Sequence, residues 1–355
     1  MSDEIRTRMG DGELVSMSAA QIREDIAAGT DVAARKGKVD PLSETDQQAL
    51  FDNIAAPSRT VSVAPGNEVV VTDDGCSMAF YGGQDSSAVG VPLNRLQAIL
   101  VYERACAADT TSMGHSDYSF KPIKPIINTE TSEYYNVSMQ TTAPFLYGAQ
   151  PNMGLYFQPD GPYPNPADLL PEGKIAEAQQ VQEEASRHLR KDLVFCAKKF
   201  DAVGCEGLNL DTCGSAGDAD FLAALEAVEE LQTAVPSMPI IMGGAGEFVL
   251  GMHGEVTYDG KRLAGMYPHD QVKVAETAGA SVYGAAIGTS TSESLAWNIA
   301  RSVTLVKAAV AAADIPVHVN VGMGVGGIPM VEVPPIDSVT RASKSLVEIG
   351  KADGL

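Results

Sequence analysis

From residue 121 onward, short β-branched apolar runs alternate with longer stretches whose apolar residues recur every three or four positions. The first kind reads as buried strand and the second as amphipathic helix. The pattern predicts strands over 122–127, 142–147, 207–211, 238–243, 281–286 and 316–321, with a seventh starting at Ala352. Between them it predicts helices over 130–140, 174–203, 219–234, 270–278, 293–312 and 338–349. The fifth helix is the clearest. Ser290 and Glu293 have the spacing of a capping box, and Leu295, Ile299, Val303, Val306 and Val310 form one stripe. Arg301, Thr304 and Lys307 lie off that stripe. Gly350 stands where the last helix should stop.

The first 110 residues have a different rhythm. Short helices are expected over 18–28, closed by Gly29, and over 43–55, each opened by a Ser, with a further helix over 93–109. Segments 60–63, 68–72 and 77–81 read as a small antiparallel meander turned at Pro65-Gly66 and Asp74-Gly75. Strand–helix repetition after residue 121 means a parallel sheet, either open and doubly wound or closed as a barrel. Six complete units and the start of a seventh fit an α/β (β/α)8 TIM-type barrel, incomplete at its C-terminus, behind an N-terminal helix and β-meander layer. The expected division is therefore 1–110 for that layer and 111–355 for the barrel. A parallel strand is normally flanked on both edges. A strand starting at Ala352 would leave an apolar edge bare, so the sequence is expected to be cut short and the product as written to be inactive.

Charge narrows the function. Asp and Glu total 46 against 25 Lys and Arg, a net charge of -21, which disfavours nucleic acid and anionic membrane and suits a solvated acidic surface first, and also a salt-rich cytoplasm or cationic substrates. The five cysteines, Cys76, Cys106, Cys196, Cys205 and Cys213, are odd in number and include no C-x-x-C pair. That points to reduced thiols in a cytoplasmic protein and to no structural metal. The apolar stretch over 295–313 is broken by Arg301 and Lys307, so no membrane span is expected, and the N-terminus has no signal-peptide pattern.

In a parallel barrel the chemistry sits where strands end. Asp211 and Glu247 follow the third and fourth strands of the series, so two carboxylates can face one cavity to bind a cation or handle protons. Tyr283 and Asn320 lie at the fifth and sixth. His115 with Asp117 is a weak pattern that reads more readily as a hydrogen-bonded loop, and His253 between glycines reads equally well as a plain turn. Gly322, Gly324 and Gly327 match the dinucleotide G-x-G-x-x-G. Pro329, Pro334 and Pro335 stand where the phosphate-binding helix would have to open, so that reading is rejected. Instead the glycines suit close approach of a large ligand or a protein. The Pro-, Gly- and Tyr-rich loop over 147–166 should lie over the active face or make an oligomer contact.

Several blocks, in order along the chain, carry a family resemblance. They are Arg8-Met-Gly-Asp-Gly12, Gly114-His-Ser-Asp-Tyr-Ser-Phe-Lys-Pro122, Pro151-Asn-Met-Gly-Leu-Tyr156, Gly246-Glu247, Leu250-Gly-Met-His-Gly254, Gly322 through Met330, and Pro334-Pro-Ile-Asp-Ser-Val-Thr-Arg-Ala-Ser343. In these the chain resembles the dimethylamine:corrinoid methyltransferases, pyrrolysine-containing enzymes of methylamine metabolism in methanogenesis. The resemblance implies transfer of a methyl group from dimethylamine to the Co(I) corrinoid of a cognate partner protein, releasing monomethylamine, with no cofactor bound directly. It also implies that pyrrolysine, encoded by an amber codon, follows Leu355. On this reading Glu247 and Asp211 handle the proton and the ammonium, Tyr283 and Asn320 orient the adduct, and His115, Asp117, His253, Gly322, Gly324 and Gly327 face the substrate or corrinoid. A homo-oligomer is expected. The competing readings are an inactive fragment or docking subunit, and a pyrrolysine-independent barrel lyase. The lyase would need a Lys or basic cluster at the strand ends, and none is present there.

Overall fold

A computed structural model describes residues 4–70, 72–73, 113–115, 123–128, 151–251, 254–322, 324–331 and 334–355. In chain order the elements begin with β1 (Glu4–Arg8), β2 (Leu14–Ser18), α1 (Ala19–Gly37), α2 (Glu44–Ile54), β3 (Thr72–Asp73), β4 (Met113–His115) and β5 (Ile123–Asn128). Then come a 3-10 turn (Met153–Tyr156), α3 (Pro166–Leu169), α4 (Ile175–Ala202), β6 (Gly207–Cys213), α5 (Asp218–Ala234) and β7 (Ile240–Gly244). The series closes with β8 (Thr257–Tyr258), β9 (Lys261–Arg262), α6 (Pro268–Ala278), β10 (Val282–Ala285), α7 (Leu295–Ala312), β11 (Val317–Val319) and α8 (Ile336–Glu348). The segments expected over 77–81, 93–109, 130–140 and 142–147 lie outside the described residues. The fold is mixed α/β, and it divides into two compact units: Met1–Ser112 with Gly284–Leu355, and Met113–Tyr283.

In the first unit α1 lies along α7. Ser18 opens α1 by accepting from the Gln21 amide, and Gln21 reciprocates on the Ser18 amide (2.8 Å). The helix then runs on to Gly37, so Gly29 does not close it. A Cβ at Gly29 would run into the Trp297 carbonyl, so this glycine marks a close helix approach and not a cap. The same contact explains α7. Two of its three off-stripe residues are buried: the Thr304 and Thr30 hydroxyls are hydrogen-bonded (2.9 Å) and Arg301 donates to the Gly288 carbonyl (2.7 Å), while Lys307 stays partly exposed and pairs with Asp46 (2.6 Å). Its cap is Ser294, which accepts from the Trp297 amide (3.2 Å), not Ser290.

Two further expectations for this unit are corrected. An antiparallel hairpin of β1 and β2 precedes α1, which the pattern of the first residues did not predict. Residues 60–63 form no strand. They are strapped instead to α8, where the Val61 amide donates to Thr340, the Ala64 amide to Glu348 and Lys344 to the Ser62 carbonyl. Arg341 of α8 is buried and donates to the carbonyls of Ile54, Ala56, Ser58, Arg59 and Asp337, which fixes the chain leaving α2. The chain from Asp353 to Leu355 runs parallel to β11 through the Val319 amide and Gly354 carbonyl (3.0 Å). Its other side is not bare, because Val70 bridges Gly354 in parallel and accepts from the Leu355 amide (3.0 Å).

In the second unit β6 and β7 pair in parallel, with Leu208 opposite Ile240 and Leu210 opposite Met242. All four of those side chains are buried, and α5 packs on β6. The Ser281 amide donates to the Ile240 carbonyl (2.8 Å) where β10 comes alongside β7. On its other edge β6 pairs with β5 antiparallel, Ile123 opposite Leu210. β4 is antiparallel to β5 in turn. An uninterrupted parallel series from residue 121 is therefore corrected at its first strand: apolar periodicity marks a strand as buried but carries no information on its direction.

Candidate functional site at the ends of β6 and β7

Strand alternation sends Leu208 and Leu210 toward the helices and Asn209 and Asp211 to the opposite face of β6. Asp211 leans across its neighbour: a Cβ on Gly243 would sit 3.0 Å from Asp211 Oδ1. A side chain at Gly243 would crowd the carboxylate where it now lies. The same oxygen accepts from the Thr212 amide (2.8 Å). Thr212 takes a left-handed backbone (φ 53°), the register between β6 and β7 shifts there, and the chain turns through Gly214 (φ 87°) into α5. A β-branched residue at positive φ is strained, and such strain collects where a side chain must be aimed.

Glu247 stands three residues beyond β7 and is half-buried. Its loop is closed by the Val249 amide donating to the Met266 carbonyl (3.1 Å) and the Gly265 amide donating to Val249 (2.8 Å). Tyr283 is fully buried, and its hydroxyl donates to Gln271 Oε1. Gln271 Nε2 donates to the Met266 carbonyl (2.8 Å) and the Gly246 carbonyl (3.4 Å). Tyr283 is thus tied, through one amide side chain, to the residue next to Glu247. Burial pushes the Tyr283 phenol up, so it acts as a donor and not as a base.

The turn into α5 carries a residue that sequence reasoning passed over. Asp220 is only 7 % exposed. It accepts from the Ala216 amide (3.0 Å) and, more weakly, from the Ser215 hydroxyl (3.4 Å). Burial raises its carboxyl to about 6, against those hydrogen bonds, which lower it. Asp218 and Asp220 read in the sequence as ordinary acidic residues of a helix first turn, and nothing there marks one as buried beside a cavity. Gln271 and Gly243 were likewise passed over, since their roles appear only across elements.

The other expected residues fall as follows. His115 pairs with Ile126 in the β4–β5 ladder, while Asp117 and His253 lie outside the described residues. In the first unit Asn320 is exposed just past β11. Gly322 has open space where a side chain would be. Gly324 and Gly327 have left-handed backbones (φ 71° and 88°), and Met330 and Ile299 take up the room beside them. The loop is pinned by the Gly326 amide on the Ile287 carbonyl (2.9 Å) and by Thr289 on the Ile328 carbonyl (2.7 Å). Among the described residues the next helix after the third glycine is α8, which begins at Ile336. The loop before α3 is fastened to α4, Tyr156 donating to Asp192 (2.7 Å) and Tyr163 bonded to His188 (3.2 Å).

Among the described residues no group of three or more His, Cys, Asp or Glu is placed to hold a metal ion. No helix among them is long and apolar enough to cross a membrane. No solved structure matches the chain. A family model described as dimethylamine methyltransferase matches residues 3–355, nearly the whole sequence and every block that carried the resemblance. With two carboxylates at the ends of adjacent parallel strands, the chain belongs to the dimethylamine methyltransferase family.

Proposed function

We propose that this chain moves a methyl group from dimethylamine to the Co(I) corrinoid of a cognate partner protein and releases monomethylamine. The observation that carries the reading is the family match over residues 3–355, joined to Asp211 and Glu247 at neighbouring strand ends. A protonated secondary amine is a cation with N–H donors, and a pair of carboxylates is what such a substrate needs around it. Asp211 binds the ammonium, with its carboxylate held over Gly243. Glu247 handles the proton that the departing amine requires. Tyr283 is a positioning residue that holds the Glu247 loop through Gln271. Asn320 orients the bound amine, and His115, Asp117, His253, Gly322, Gly324 and Gly327 belong to the face that meets the substrate and the corrinoid protein. Pyrrolysine, following Leu355, supplies the electrophile that captures the amine, and the partner's corrinoid supplies the methyl acceptor. The architecture in this proposal is a (β/α)-type barrel over 111–355, with β4 and β5 as antiparallel strands of its sheet, behind an N-terminal layer over 1–110, in a cytoplasmic homo-oligomer.

The test uses the full-length protein with its corrinoid partner reduced to Co(I), and follows methylation of the cobalt by its visible absorbance. Glu247→Gln should slow methyl transfer by about 100-fold or more, the usual contribution of a general acid. An unchanged rate would remove Glu247 from the mechanism. At the nucleotide level, TAG after codon 355 followed by a long open frame supports pyrrolysine there, and TAA or TGA rules it out.

A further inference from the structure

At the end of β6 lies a cavity of about 300 Å³. That is the low end of ligand-site volumes, suited to a small molecule. Its apolar wall is made by Met153, Leu189, Leu193 and Ala224, with Asp220 among the polar residues that line it and Asp211 at the strand end. Loop, strand and two helices thus converge on one space within the second unit.

We propose that this cavity binds a small alkylammonium cation, with Asp220 as counter-ion and the Leu189–Leu193 wall around the alkyl groups. The described partners of Asp220 are backbone amides and the Ser215 hydroxyl, and no basic side chain is among them. A carboxylate so deeply buried without a cation is costly, which is why it holds its proton up to a pH of about 6. Anything that fills the cavity at neutral pH has to supply positive charge on one side and apolar surface on the other. An anion would face the Asp220 carboxylate. A hydrated metal ion would waste its hydration against leucine. A neutral apolar molecule would leave the charge unpaired. A methylated ammonium meets both walls, its N–H groups toward Asp220 and its methyls toward the leucines. That the cation is dimethylammonium, held close to the transfer site, rests on the methyltransferase reading.

The experiment titrates the purified full-length protein with dimethylammonium chloride by calorimetry, with ionic strength held by sodium chloride. Saturable binding is expected, weakened at least tenfold in Asp220→Asn, whose side chain keeps the shape and the acceptor while losing the charge. Wild-type affinity should rise with pH to about 6 and level off above it, because only the ionised carboxylate pairs with the cation. Asp220→Asn should show no such rise. Leu193→Phe, which narrows the cavity without touching charge, should weaken dimethylammonium binding while the thermal midpoint reports that the fold is kept. Equal affinity in wild type and Asp220→Asn, or equally good binding of sodium, overturns the proposal. Methyl transfer is assayed separately. Asp220-dependent binding in a protein that transfers no methyl group would overturn the methyltransferase reading and leave the cavity. Methyl transfer without Asp220-dependent binding would do the reverse.

Discussion

A carboxyl group surrounded only by amide and hydroxyl donors keeps its proton longer than one beside an arginine, and Asp220 is such a group. Its pKa in the folded protein, about 6, lies above the ordinary 3.8. The folded state therefore holds this proton more tightly, and the stability so gained is complete below pH 3.8 and is lost as pH rises through about 6. The shift corresponds to about 3 kcal/mol. Asp220→Asn should remove this loss, so the stability difference between variant and wild type should grow in the variant's favour from pH 4 to 6.5, as urea denaturation at several pH values will read. Tyr283→Phe tests the other buried polar contact at this end of the strands. It leaves Gln271 Oε1 without its donor, and an unsatisfied buried acceptor costs about 1–3 kcal/mol. The urea midpoint should fall accordingly.

Elements here are held by a few close approaches as much as by apolar stripes. The α1–α7 contact depends on the absence of a side chain at Gly29. Ala is the better helix former by about 1 kcal/mol. Its methyl group would have to displace the Trp297 carbonyl, and overpacking of that kind costs about 1–3 kcal/mol. The steric term wins, so Gly29→Ala should lower the denaturation midpoint, whereas a Gly to Ala change at an exposed helix position would raise it. α8 is held differently. Arg341 binds five carbonyls at once, and Asn53 of α2 donates to the Arg341 carbonyl (2.8 Å) and to Ser345 (2.6 Å). These polar ties explain how residues 60–63, strand-like in pattern, come to lie along a helix instead.

At the scale of the whole molecule the dominant feature is charge. A net of -21 draws cations toward the protein, and a methylated amine is a cation at neutral pH. The value of kcat/KM for dimethylamine should therefore fall several-fold as added salt shortens the Debye length to about 10 Å, with kcat little changed. An activity indifferent to salt would mean that substrate arrives unsteered.

The chain's own pattern was enough to find most helices and the strands β6, β7, β10 and β11, because burial of one face or both imposes periodicity on any sequence that folds this way. It was also enough to bring Asp211 and Glu247 to neighbouring strand ends, Asp211 in the last residues of β6 and Glu247 three residues beyond β7. The antiparallel direction of β5, the burial of Thr304 of α7 against Thr30 of α1, and the pairing of Val70 with Gly354 were decided by tertiary structure. So was the character of Asp220. A pKa depends on which groups and how much water surround a carboxyl, and here those neighbours come from a turn, two helices and a loop that are separate in the sequence.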